Sequence, residues 1–118
     1  MDEAAIRRAL SAERQATLSR IDAMAADLEG IVSASADMNG DDEHDPEGST
    51  IAYERAQVGA LLTEARTSLD DLDRAVARLD AGIYAVCDGC GGPIASDRLE
   101  ARPAARTCIG CAGSPRPR

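Results

Sequence analysis

The chain has 118 residues, a net charge of −8, no Trp and no Phe, and Tyr53 and Tyr84 as its aromatic residues. That is one domain's worth of chain with little bulky apolar volume, so a compact core alone would be marginal and a further clamp is needed. The acidic balance argues against a general DNA-coating role, because a polyanion repels it at long range, and no stretch approaches the roughly 18–20 apolar residues of a membrane span.

The charge is unevenly spread. Residues 1–86 carry 18 acids and 8 arginines, residues 87–118 carry 3 acids and 5 arginines, and there is no lysine. The first residues, Met1-Asp2-Glu3, are acidic and open no apolar run, which is unlike a signal peptide and predicts a cytoplasmic protein.

Residues from about 3 to 37 predict one helix. Leu10, Thr17, Ile21, Met24, Leu28 and Ile31 recur at the steps of a heptad stripe, with Arg14 in one core slot. The second stripe is more regular: Val58, Leu62, Ala65, Leu69, Leu72, Val76, Leu79 and Ile83 alternate steps of four and three. A period near 3.5 residues predicts a left-handed coiled coil. Ser49 or Thr50 is the expected N-cap and Gly82 the expected terminator of this second helix. The short connector favours an antiparallel hairpin within one chain, hence a monomer, over pairing of the same stripes between two chains.

The connector holds Gly40, Gly48 and the Asp45-Pro46 step, all of which oppose helix, and five acids: Asp41, Asp42, Glu43, Asp45 and Glu47. Such a run is either a solvated cap or a surface met by something basic or a metal ion, because like charges this close repel. The one histidine, His44, sits in this run and is read as a solvated loop residue. No nucleophile stands beside it, so enzymatic chemistry is not expected.

Cys87-x-x-Cys90 and Cys108-x-x-Cys111, separated by seventeen residues, have the spacing of a closed tetrathiolate zinc site. Two intervening residues let one turn aim both sulfurs of a pair at the same ion. Gly89, Gly91 and Gly92 are expected to supply the positive φ of that turn and free N–H groups for the thiolates. Four sulfurs complete a tetrahedron and leave no place for water, so the expected zinc is structural, one per chain. Ile94 and Leu99 are expected to plug the small core beneath it. Arg98 and Arg102 either hold a thiolate or carboxylate or present a basic contact face.

The run Cys87-Asp88-Gly89-Cys90-Gly91-Gly92-Pro93-Ile94, with Arg98-Leu99-Glu100-Ala101-Arg102-Pro103 and Cys108-Ile109-Gly110-Cys111, closely resembles the DksA/TraR family zinc finger. The helical hairpin leading into it is similar to that family as well. The resemblance implies a regulator that binds bacterial RNA polymerase directly, without contacting DNA, and inserts its acidic tip into the secondary channel to alter initiation. In some members the alarmone ppGpp takes part. Members of the family carry an Asp-x-x-Asp-x-Ala motif at the tip. Here Asp45 stands at the first acid, while Gly48 and Thr50 occupy the second acid and the Ala.

The expected chain is therefore mostly α, with a coiled-coil hairpin over 1–83 whose acidic tip spans 38–49. A C4 finger follows over 84–112, and a disordered tail over 113–118. Two other readings use the same parts: an interaction module for another protein, and a DNA-contacting finger using Arg98, Arg102, Arg106 and the Arg-Pro tail.

Overall fold

The computed structural model describes residues 2–38 and 46–113, and the side chains of 35–38 and 46–48 fall outside that description. Four helices follow one another: α1 (Glu3–Met38), α2 (Pro46–Asp80), α3 (Ser96–Ala101) and α4 (Ile109–Ala112). Among the described residues the only β pairing is an isolated antiparallel bridge between Val86 and Pro93, and no helix is long and apolar enough to cross a membrane.

α1 matches the expected span. α2 begins earlier than the Ser49 or Thr50 cap predicted, because Pro46 starts the helix instead of ending the loop. Proline suits a first helical position, where its fixed φ is already helical and its missing N–H would have had no partner. The end of α2 is as expected. Gly82 takes φ +79, its N–H bonds the Leu79 carbonyl at 3.1 Å, and the Ile83 N–H reaches back to the Arg78 carbonyl at 2.9 Å. Those two bonds form a Schellman closure, which a residue with a Cβ would strain.

The chain packs as two compact units, Ala16–Thr67 and Met1–Gln15 with Ser68–Arg118. In the second of these, α1 and α2 run antiparallel: Arg7 meets Asp80 at 2.6 Å and Arg14 meets Asp73 at 2.7 Å. Its core joins Ile6, Leu10, Leu72 and Ala75 of the helices to Tyr84, Cys87, Ile94 and Leu99 of the cysteine module. Leu10 and Leu99 are 1% and 2% exposed, and burying such a side chain contributes about 1.5–3 kcal/mol. Ile94 and Leu99 thus do what the sequence predicted. Ile83, the last position of the second stripe, does not: it lies beyond the helix and is 42% exposed. In the other unit, Thr17, Leu62 and Ala65 are buried and Ile21, Met24, Leu28, Ile31 and Val58 half-buried, which follows the two heptad stripes.

The acids Asp41, Asp42, Glu43 and Asp45 lie outside the described residues, as do the side chain of Glu47, His44 and the tail 114–118.

Candidate metal centre

The first cysteine pair sits on a tight turn after α2. Cys87 N–H bonds the Gly92 carbonyl at 2.8 Å, Gly91 N–H bonds the Cys87 carbonyl at 3.0 Å, and Ile94 N–H bonds Ala85 at 2.8 Å. The second pair opens α4, with Cys108 as its extended N-cap residue and Cys111 inside its single turn. Across the seventeen-residue insert, the Asp88 N–H bonds the Arg106 carbonyl at 2.9 Å, which brings the second pair against the first.

The four sulfurs of Cys87, Cys90, Cys108 and Cys111 all lie within 4.8 Å of one another, and Cys90 Sγ stands 3.9 Å from Cys108 Sγ. Four thiolates around zinc at about 2.3 Å have edges of about 3.8 Å, so the cluster has the size the ion requires. The backbone is arranged for sulfur anions as well. Gly89 N–H and Cys108 N–H point at Cys87 Sγ at 3.2 and 3.3 Å, and Gly92 N–H at Cys90 Sγ at 3.4 Å. The N–H groups of Cys108, Cys90 and Gly89 pull the Cys87 thiol down to about 6, while Cys111, left to share its proton with Cys87, Cys108 and Cys90, is pushed up to about 12. The contacts that lower the Cys87 thiol favour its thiolate, the form that binds a metal cation. Cys87, Cys90, Cys108 and Cys111 would together hold one zinc, which would crosslink the two pairs and leave no open coordination position.

The glycines act differently from one another. Only Gly91 of the three has a positive φ, +74. Gly89 is required for space, since a Cβ there would stand 2.9 Å from Cys111 Sγ and 3.2 Å from Cys111 Cβ. At Gly92 the added carbon would make an ordinary 3.4 Å contact with Cys90 Sγ.

Among the described residues Arg98 binds neither a thiolate nor a carboxylate, contrary to one expectation: its Nε donates to the Thr107 carbonyl at 2.8 Å. It thereby fixes the backbone just before Cys108. Arg102 is exposed and, among the described residues, its guanidinium has no hydrogen bond or ion pair. Both border an open groove of about 760 Å³ whose charged lining is completed by Arg74, Arg106, Asp71 and Asp88.

The sequence reading passed over Asp88, Arg74 and Arg78. Asp88 lies between the first two ligands and receives Arg74 Nη2 at 2.6 Å, Arg78 Nη1 at 3.1 Å and Arg106 Nε at 3.3 Å. Burial opposes its charge, but the Arg74 bond and the charges of Arg74 and Arg78 prevail and hold the carboxyl below its ordinary value. Arg78 also donates to the Ile83 and Val86 carbonyls. The i, i+4 spacing of Arg74 and Arg78, beside the apolar stripe in the last two turns of α2, was the available signal.

Residues 82–115 match the prokaryotic dksA/traR C4-type zinc finger. The chain is also similar to two curated proteins of Bacillus subtilis (strain 168). It is 35% identical over 66 residues to the uncharacterized protein YteA, covering 56% of this chain and 28% of that one. It is 32% identical over 71 residues to general stress protein 16O, covering 60% and 44%. The chain thus spans under half the length of either relative. Among solved structures it resembles transcription factor DksA2 from Pseudomonas aeruginosa, with a TM-score of 0.76, 27% identity, and coverage of 93% of this chain and 79% of that one. That likeness extends over the helices α1 and α2 as well as the segment that holds the four cysteines.

Proposed function

We propose that this protein is a DksA-like transcription regulator that acts by binding RNA polymerase directly. The observation that carries the reading is the resemblance to DksA2, a transcription factor, over 93% of the chain. It is supported by the DksA/TraR finger built on Cys87, Cys90, Cys108 and Cys111. In this reading the protein is a cytoplasmic monomer and not an enzyme. Its zinc is structural, and the acidic run Asp41, Asp42, Glu43, Asp45 and Glu47 enters the secondary channel of the polymerase. A channel that admits nucleotides suits an acidic insert, because basic walls and acidic guest are complementary. A net charge of −8 fits a regulator held by protein contacts and not by DNA.

The test is capture of RNA polymerase by the full chain, followed by transcription in vitro on several promoters. Wild type is expected to bind and to change initiation. Asp45→Asn should weaken the effect, and Asp45→Asn combined with neutral residues at 41, 42 and 43 should abolish it while binding persists, because charge acts only within about 10 Å at ordinary salt. Failure of wild type to bind polymerase or to alter any promoter refutes the proposal.

A further inference from the structure

We propose that Asp88 is a positioning residue that couples metal binding at the first cysteine pair to the last turns of α2. It lies one residue after Cys87 and two before Cys90, so the loop that presents its carboxylate is the loop the metal closes. Three guanidinium groups converge on that carboxylate, and two of them, Arg74 and Arg78, belong to α2 and stand one turn apart. The carboxylate side chain is 21% exposed and that of Arg78 17%, so these charges are partly withdrawn from water and attract more strongly than surface pairs do. Arg74 Nη1 is buried without a partner, which leaves its bond to Asp88 as the contact that compensates this side chain. Arg78 continues the connection, holding the Ile83 and Val86 carbonyls just past the end of the helix.

Without the carboxylate, Arg74, Arg78 and Arg106 would repel one another at close range. With it, they close the finger onto the helix. The turn carrying Asp88 contains Gly89, Gly91 and Gly92, so its backbone is soft until sulfur–metal bonds fix it. Metal binding therefore strengthens the arginine contacts, and by reciprocity the arginine contacts strengthen metal binding by the same factor. This coupling concerns how the chain holds its metal and stands whether or not the protein acts on polymerase.

Zinc affinity by competition with a chromophoric chelator, combined with amide hydrogen exchange, decides the matter on the full chain. Asp88→Asn is expected to weaken zinc binding about tenfold, the lower end of what outer contacts of metal sites contribute. Arg74→Gln should weaken it in the same direction, and the double variant should be no weaker than Asp88→Asn alone. Asp71→Asn, which removes only a 3.5 Å contact with Arg106, should bind zinc as wild type does. At full zinc occupancy, amides 78–83 should exchange faster in Asp88→Asn than in wild type, which separates coupling from mere unfolding of the finger. If Asp88→Asn does not fold, Arg74→Gln carries both measurements. Unchanged zinc affinity, unchanged exchange at 78–83 with zinc bound, or additive losses in the double variant would each overturn the proposal.

Discussion

Gly89→Ala tests the metal centre at the point of least tolerance. The added carbon would stand 2.9 Å from Cys111 Sγ and 3.2 Å from Cys111 Cβ, whereas comfortable non-bonded contacts begin at about 3.5 Å. The sulfur must therefore retreat by about 0.6 Å or the turn must open. Metal–ligand distances tolerate only about 0.2 Å, so Cys111 cannot keep its place in the tetrahedron. Structural zinc is held with about 10–16 kcal/mol; divided over four thiolates, loss of one corresponds to a drop of about 100-fold or more in affinity. The assay is chelator competition, with cobalt(II) substitution to report the number of bound thiolates. Gly92→Ala is the control, because its new carbon meets Cys90 Sγ at an ordinary 3.4 Å and should change affinity little. A Gly89→Ala protein with wild-type affinity and an unaltered cobalt spectrum would refute the steric argument.

Stripping zinc should unfold residues 84–112 and also loosen the ends of α1 and α2, since Tyr84, Ile94 and Leu99 share a core with Ile6, Leu10 and Leu72. Circular dichroism should retain most helix while hydrogen exchange quickens at both helix ends. Leu72→Asp would place an unpaired carboxylate at a site 5% exposed and should cost several kcal/mol in urea unfolding, whereas Ala77→Glu, on the exposed face, should cost about 0.5 kcal/mol or less. Reversal of charge at Arg74, whose position off the apolar stripe suggests a silent change, is expected to matter: Arg74→Asp would set a second acid against Asp88 and should lower the midpoint of urea unfolding measurably. Gly82→Ala meets no atom within 4 Å but forces an L residue to φ +79, and should lower stability by about 1 kcal/mol.

The features legible in the sequence are those encoded at short range. Heptad spacing marked Leu10, Leu62, Leu72 and their neighbours because a helix repeats every 3.6 residues whatever it packs against. The four ligands were readable because a C-x-x-C turn closes on itself. The Gly82 terminator was readable because a left-handed residue is a local demand. The start of α2 was missed through a local ambiguity, since proline both ends one helix and begins another.

What only the tertiary structure decided lies where distant segments meet. Nothing in the spacing of Ile6, Ala75 and Tyr84 assigns them to the core that covers the finger; that follows from the end of α2 returning beside the start of α1. Gly89 looked like a residue chosen for its backbone freedom, and became one chosen for its missing carbon only when Cys111, twenty-two residues on, was placed against it. Arg74, Arg78 and Arg106 carry the same charge in any conformation. Their convergence on Asp88 depends on the turn between two ligands being held against the last turns of a helix, and a contact between residues so far apart in the chain exists only once the fold has brought them together.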